Sequence, residues 1–167
     1  MDSQPTTPNI SLRRATRDDL PTLTALCREV QDLHVAGRPD LFADTEAQDL
    51  SAYLTSCFDR EGFTITVAVV DDQVRGYVLV QDVHRAANPF RKAEDVLYIH
   101  HIGVARESRS RGIGSALMNS VTTRAADTQC SAIRLDSWAF NTEAHTFFAR
   151  HGFSPMNIVF EIRLPRG

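Results

Sequence analysis

The chain has 167 residues, of which 43% are hydrophobic and 23% charged, and its formal net charge is −3. This length suffices for one domain with a substantial buried core. The negative balance argues against general nucleic-acid binding, which needs a basic surface. Three widely spaced cysteines form no CxxC pair, and the longest apolar run, near residues 67–70, is too short to cross a membrane. We therefore expect a cytoplasmic protein with reduced thiols and no membrane association.

The first half of the sequence predicts a strand, two helices and a hairpin. Thr16 can cap the first helix, with Asp19 as its capping-box partner, and the segment 36–42 then breaks that helix. β-Branched residues on both sides of an Asp-Asp-Gln turn are typical of a hairpin. The predicted elements are a strand over 10–15, helices over 16–34 and 44–58, and paired strands over 63–70 and 74–83.

The second half alternates strands and helices after a polar loop at residues 84–95. Apolar residues recur every four positions from Ile113 to Ala125, which indicates one buried helix face. Asn141 can cap the last helix and Gly152 follows its end. The predicted elements are a strand over 96–105, a helix to about residue 126, a strand over 132–140, a helix over 141–152 and a strand over 153–164.

The most informative stretch is "RSRGIGSALM", residues 109–118, which lies between a predicted strand and a predicted helix. Glycine at positions 112 and 114 allows the backbone to approach a ligand closely. The amides after Arg111 lie at a helix N-terminus, where about half a positive elementary charge is available. Arg109 and Arg111 add further positive charge. The pattern favours a site for a pyrophosphate.

The same stretch is compatible with other kinds of loop. A P-loop requires GxxxxGK[ST], which the stretch lacks, and a dinucleotide fold requires a third glycine where Leu117 stands. A glycine-rich turn with two solvated arginines explains the GxG pattern equally well when it is taken alone. The surrounding motifs decide between these interpretations.

The order and spacing of several motifs resembles the GNAT superfamily of acyl-CoA-dependent N-acetyltransferases. The motifs are the strand "YIHHIGV", the turn "RSRGIG" with its amphipathic helix, the strand "IRLDSWAFN", and the segment "NTEAHTFFARHGF". In that segment the family pattern falls on Asn141, Ala144, Gly152 and Phe153. The opening "ISLRRATRDDLPTLTALC" is similar to the family's first strand and helix, so the resemblance covers nearly the whole chain.

The resemblance implies a fold of the α/β (α+β) class. In the GNAT fold a mixed, mostly antiparallel central sheet has a V-shaped split between strands 4 and 5 and is flanked by about four helices. We expect a single N-acetyltransferase domain over residues 10–167, after a flexible tail over residues 1–9.

The resemblance also implies acetyl-CoA as the cosubstrate and no metal. The diphosphate is expected at the amides of residues 110–115, and the pantetheine arm beside the strand at residues 102–104. Asn141 is expected at the pantetheine or phosphate end, although a helix N-cap explains it equally well. The residues assigned to CoA binding are Ile102, Gly103, Val104, Arg109, Ser110, Arg111, Gly112, Ile113, Gly114, Ser115, Asn141 and Phe148.

Acetyl transfer to an amine requires a base for the ammonium proton and an N–H donor for the developing oxyanion. The resemblance implies that a backbone N–H near residues 102–104 is the donor. His100 is a candidate base because histidine titrates near neutrality. Asp136 is a second candidate, since some family members carry a carboxylate there that acts through water. Deprotonation by distal water needs neither residue.

Strand alternation predicts which side chains share a face with the candidate base. That face carries Tyr98, His100, Ile102 and Val104. His101 is predicted to point to the opposite face.

The expected acid departs from the family pattern. Many members place a tyrosine where this chain has Phe148, and phenylalanine has no proton to give to the departing thiolate. Tyr98, Ser137 or water can take this role, or CoA can leave as the thiolate, because a thiol pKa near 8.5 makes it a tolerable leaving group.

The acceptor is expected to contact the first helices, the loop at residues 85–95 and the strand end near Trp138. The residues assigned to acceptor binding are His34, Arg38, Phe42 and Trp138. Acidic residues between positions 40 and 49 could attract a cationic amine, but a solvated helix face explains them better.

The sequence therefore predicts an N-acetyltransferase whose acceptor is a primary amine of a small molecule or peptide, attacked directly in a ternary complex. The alternative is a GNAT-shaped acyl-CoA-binding module with weak or no catalysis, and Phe148 is its main support. A Rossmann-type nucleotide binder is a third interpretation, which Leu117 counts against. We expect a homodimer and no nucleic-acid partner.

Overall fold

Five strands in the order β1-β2-β3-β4-β5 form one sheet in the computed structural model, which describes residues 9–164. The predicted tail over residues 1–9 lies, except for Asn9, outside the described residues. The strands are β1 (Ser11–Arg14), β2 (Phe63–Val70), β3 (Gln73–Arg85), β4 (Glu94–Val104) and β5 (Ala132–Leu135). The helices are α1 (Leu20–Gly37), α2 (Ala47–Asp59), α3 (Ile113–Asp127) and α4 (Thr142–Arg150).

The sheet is antiparallel except at its last pair, where β4 and β5 run parallel. The β4–β5 pairing ends at Ile99↔Leu135, because β5 stops there, whereas β4 continues to Val104. A gap therefore opens beside the second half of β4. The mixed, mostly antiparallel sheet, its split and the four helices confirm the predicted fold class.

Helices cover both faces of this sheet. On one face, α1 and α2 pack on the strands, and on the other α3 passes so close to β3 that a Cβ on Gly76 would lie 2.9 Å from Ile113. Burial of each aliphatic side chain stabilises the folded state by about 1.5–3 kcal/mol relative to leaving it exposed to water. The core on the α1/α2 face includes Leu23, Leu26, Leu50, Leu54, Ile65, Val67, Tyr77 and Leu79.

The predicted Thr16–Asp19 capping box is confirmed, but α1 begins at Leu20, four residues later than predicted. Asp19 accepts a hydrogen bond from the Thr16 N–H at 2.8 Å, and a 3-10 turn, Arg17–Asp19, leads into α1. Arg13 binds the same carboxylate through both terminal nitrogens, each at 2.7 Å. These bonds lower the pKa of Asp19 and fix the junction of β1 and α1.

The chain divides into two compact units, Met1–Asp136 and Ser137–Gly167. The second unit contains α4 and no strand among its described residues. The prediction of a strand over residues 153–164 is wrong, because these residues have no regular secondary structure and residues 154–164 are exposed, without the burial that favours a strand. The strand predicted over residues 132–140 ends at Leu135, where a loop begins.

Among the helices in residues 9–164, not one is both long enough and apolar enough to cross a membrane.

Candidate active site

The loop between β4 and α3 has an alternating backbone conformation. Ser110 (φ 61°) and Gly112 (φ 83°) are left-handed, and α3 begins at Ile113. Alternation of this kind turns successive N–H groups toward one side and forms an anion-binding concavity. The Gly112 carbonyl accepts the first helical hydrogen bond from the Ala116 N–H at 2.9 Å. The amides of residues 113–115 therefore lack intrahelical acceptors and are available to a ligand.

The two loop arginines differ in their surroundings. Arg109 donates through Nε to the Val104 carbonyl at 3.3 Å, and its Nη2 lies 3.7 Å from Glu29 Oε2 of α1. Arg111 is exposed. The positive charge expected at this loop is present, but Arg109 is held by its neighbours in the protein.

The far end of β4 presents backbone polar groups to the gap. The Ala105 N–H donates to the Arg75 carbonyl at 2.8 Å, so the N–H and C=O of Val104 point away from β3, and so do those of Ile102. Gly103 faces α1, where a Cβ would lie 3.0 Å from Tyr77 and 3.1 Å from Val30. Glycine at 103 therefore permits α1 to pack against β4.

A β-bulge at His100 corrects the predicted arrangement of the strand faces. Leu79 pairs with His101 and Val80 pairs with Ile99, which leaves His100 without an opposite residue. The extra residue shifts the alternation, so His100 and His101 both lie on the face covered by α1 and α2. Their ring contacts, Phe63 for His100 and Tyr77 for His101, belong to that face.

The prediction that His101 points away from His100 is therefore wrong. Ile102 and Val104 were also predicted to share the face of His100, and this too is wrong. They pair with Val78 and Gly76, and Gly76 faces α3. Directly opposite residues of paired strands lie on the same face.

The candidate catalytic residues Tyr98, His100 and Asp136 lie together. The Tyr98 hydroxyl donates to the Asp136 carboxylate, which follows the end of β5. The Tyr98 ring lies 4.9 Å from the His100 ring, measured between centroids. His100 Nε2 lies 2.8 Å from Gln81 Oε1 on β3. Gln81 has no distinguishing signal in the sequence, since only the pairing of β3 with β4 brings it beside His100.

Burial changes the protonation behaviour of this group. Burial lowers the pKa of His100, and the nearby Arg60 guanidinium lowers it further, against the opposing charge of Asp136. The His100 imidazole is therefore neutral at pH 7 and can accept a proton. Burial and the hydrogen bond to Asp136 raise the pKa of Tyr98 to about 12, so its phenol keeps its proton there.

His101 occupies a more enclosed position than His100. Its Nδ1 lies 3.2 Å from the Tyr77 hydroxyl and 3.7 Å from Cys27 Sγ, and Tyr53 stacks on its ring. Burial, reinforced by the neighbouring His100 and His34, lowers the pKa of His101 to about 4. The ring is neutral at pH 7, and its Nδ1 can accept a hydrogen bond from the Tyr77 hydroxyl.

Acid should destabilise the protein through His101. Between pH 6.5 and about 4 the unfolded chain binds a proton at this residue that the folded protein does not, so stability falls as the pH falls through this window. At pH 5 we expect a loss of about 2 kcal/mol relative to pH 7. Urea unfolding of the wild type and of His101→Asn at both pH values measures this loss of stability.

The His101→Asn variant should lose this pH dependence, whereas His84→Asn, at an exposed residue paired with Asp95, should retain it. Parallel pH curves for the wild type and His101→Asn would contradict the assignment.

The acceptor-side residues predicted from the first helix and its break are partly assembled. His34 stacks on Phe42 with 4.9 Å between ring centroids. Arg38 holds Asp40 through two hydrogen bonds, from Nε at 2.8 Å and from Nη2 at 2.9 Å. These contacts fix the turn between α1 and α2. Burial lowers the pKa of His34, so it too is neutral at pH 7.

Three predicted site residues belong to the second unit. Asn141 caps α4, where its side-chain oxygen accepts from the Ala144 N–H at 3.3 Å. This confirms the N-cap interpretation, while its contact with CoA stays a prediction. Phe148 packs edge-on against Phe147 and Phe153. Trp138 lies in the turn that precedes α4, and its carbonyl accepts a hydrogen bond from the Asn141 N–H.

Comparison with known proteins places these features in a family. The acetyltransferase (GNAT) family model matches residues 25–153. The chain is 29% identical over 151 residues to N-alpha-acetyltransferase 60 of Danio rerio, which covers 86% of this chain and 59% of that relative. It thus spans about three-fifths of the length of the curated relatives it matches.

Solved structures share the fold. A tetramutant of the BH1408 protein from Bacillus halodurans superposes with a TM-score of 0.89 at 24% identity, covering 92% of this chain and 99% of that one. The aminoglycoside N-acetyltransferase AAC(6′)-Iy, solved in complex with CoA, superposes with a TM-score of 0.74 at 17% identity, covering 96% and 98%. Because the family model matches most of the length of this chain, the chain belongs to the GNAT acetyltransferase family.

Proposed function

We propose that the protein transfers an acetyl group from acetyl-CoA to a primary amine of a small molecule or peptide by direct attack in a ternary complex. The observation that carries this proposal is the course of β4. This strand leads through a 3-10 turn to the loop with left-handed Ser110 and Gly112. It also offers a backbone edge beside the gap to β5 and carries the Tyr98–His100 pair. A ligand-binding edge and titratable groups thus lie along a single element.

Two features of the structure fit CoA. The left-handed Ser110 and Gly112 direct the loop amides toward an anion, which suits a diphosphate. The outward N–H and C=O groups of Ile102 and Val104 suit the amides of a pantetheine arm. When bound, acetyl-CoA supplies the activated acyl group as a thioester. The remaining chemistry belongs to side chains and backbone amides of this chain.

We assign His100 as the base that takes the proton of the acceptor ammonium. Gln81 Oε1 accepts from His100 Nε2–H at 2.8 Å, and this leaves Nδ1 as the proton acceptor. The lowered pKa keeps Nδ1 unprotonated at pH 7. Stacking on Phe63, with 5.2 Å between centroids, fixes the ring plane. A fixed and unprotonated imidazole meets the geometric requirement of general base catalysis.

We assign Tyr98 as the proton donor that replaces the tyrosine missing at position 148. Its phenol is protonated at neutral pH, since its pKa is raised to about 12. In the structure the hydroxyl donates its one proton to the Asp136 carboxylate, so in the proposed step it rotates away from Asp136 and gives that proton to the departing thiolate. Asp136 is in this scheme a positioning residue for Tyr98.

The similar proteins differ in what their names say they act on. One is an N-alpha-acetyltransferase, and another is an aminoglycoside acetyltransferase, which was also solved with a CoA-linked acetylneamine analogue. Both acceptors are amines, which supports the amine class for this chain. The neutral histidines near the acceptor side, His34, His100 and His101, do not repel a cationic ammonium.

Calorimetry with acetyl-CoA and CoA, followed by transfer assays on a panel of amines, tests the proposal. The panel should contain peptides with free N-termini, aminoglycosides, and small polyamines. We expect binding of both CoA forms and transfer to at least one amine. Binding without transfer to any amine would favour the acyl-CoA-binding module, and the absence of binding would refute the proposal.

A further inference from the structure

Glu29 of α1 makes two contacts with the segment that follows β4. Its Oε2 accepts a hydrogen bond from the Arg106 N–H at 3.1 Å. The same oxygen lies 3.7 Å from Nη2 of Arg109. One carboxylate therefore anchors the 3-10 turn that leads into the loop and also holds a loop arginine.

Arg109 is thereby placed over the edge of β4. Its Nε donates to the Val104 carbonyl at 3.3 Å, and that carbonyl points away from β3 toward the gap. In this position the guanidinium lies where the pantetheine arm would need the Val104 carbonyl. Its positive charge is also paired with Glu29 and not with a phosphate.

We propose that Glu29 is a positioning residue that competes with the CoA diphosphate for Arg109. This inference rests on the proposed function. Without ligand, the carboxylate keeps Arg109 on the Val104 carbonyl. With ligand, Arg109 leaves Glu29 for the diphosphate and uncovers the β4 edge for the pantetheine arm.

The charges favour this exchange. The Arg109 side chain is 45% exposed and that of Glu29 is 32% exposed, so their pairing is partly screened and weak. A diphosphate carries more negative charge than one carboxylate, and its oxygens accept charge-assisted hydrogen bonds from a guanidinium fork. Glu29 repels the diphosphate directly only through solvent, which screens this smaller effect. Its carboxylate should therefore weaken CoA binding while it holds the loop entrance in place.

The Glu29→Gln variant separates these two effects. Glutamine keeps an oxygen that can accept the Arg106 N–H, but it lacks the negative charge. We expect the Kd of CoA, measured by calorimetry, to fall about three- to five-fold in this variant. Arg109→Gln should raise the Kd, and the double variant Glu29→Gln/Arg109→Gln should show no gain over Arg109→Gln alone, because the gain acts through Arg109.

Glu107→Gln is the matched control. Glu107 lies in the same 3-10 turn and its Oε1 accepts from Arg75 at 2.8 Å, so the variant removes the same charge from the same region. Its Kd for CoA should stay within two-fold of the wild type. ADP, which carries a diphosphate without the pantetheine arm, serves as a second probe and should show the gain in Glu29→Gln.

Three results would overturn the inference. They are an unchanged or weaker CoA affinity in Glu29→Gln, an equal gain in Glu107→Gln, and a gain that persists after Arg109 is replaced. Each leaves CoA binding by the wild type intact and so does not touch the proposed function. If the wild type binds no CoA, the proposed function itself falls.

Discussion

Replacing Gly112 with valine is expected to weaken CoA binding by about 30- to 100-fold. Gly112 has φ 83°, a left-handed conformation that costs a β-branched residue about 1–3 kcal/mol. The loop can relieve this strain only by moving, and it then turns the amides of residues 113–115 away from the diphosphate. The stated range corresponds to a strain of about 2.1–2.8 kcal/mol, at about 1.4 kcal/mol per ten-fold.

Gly62→Val separates a binding effect from a general loss of stability. Gly62 has φ 80° and directly precedes β2. It lies next to Asp82, near the C-terminal end of β3, whereas α3 packs against Gly76 near the other end of that strand. Both variants should lower the melting temperature, whereas only Gly112→Val should raise the Kd of CoA in calorimetry. Unchanged CoA binding by folded Gly112→Val would refute the assignment of the diphosphate to this loop.

Replacing Tyr98 with phenylalanine is expected to lower kcat by about 100-fold with an amine acceptor that the wild type uses. General acid catalysis by a positioned side chain contributes typically 10²–10⁴-fold, and the lower end applies here because a thiolate is a tolerable leaving group. The substitution removes only the hydroxyl that binds Asp136 and keeps the ring beside His100. The Kd of CoA should not change.

Tyr53→Phe is the matched control for this variant. Tyr53 is a second phenol on the same face of the sheet, where it stacks on His101, with 5.8 Å between ring centroids. We expect steady-state assays to give a kcat for Tyr53→Phe within two-fold of the wild type. A Tyr98→Phe enzyme with wild-type kcat would show that CoA leaves without a proton from this phenol.

The sequence determined the local features of this protein by itself. Gly112 requires no tertiary context to mark a turn, since only its lack of a Cβ makes φ 83° acceptable. The Thr16–Asp19 capping box forms between residues three apart, so its bonds follow from spacing alone. The strand-turn-helix order around residues 109–118 likewise follows from hydrophobic periodicity, and with it the position of the expected diphosphate site.

The tertiary structure alone decided which side chains meet. Alternation along β4 predicts opposite faces for His100 and His101, but the pairing with β3 inserts a bulge there and brings both to the α1/α2 face. A bulge depends on two strands, and the sequence of one strand does not specify it. The contacts of Gln81 with His100 and of Glu29 with Arg109 also join residues far apart in sequence. The pKa shifts follow from these same contacts, because desolvation and charge act through distances that only packing sets.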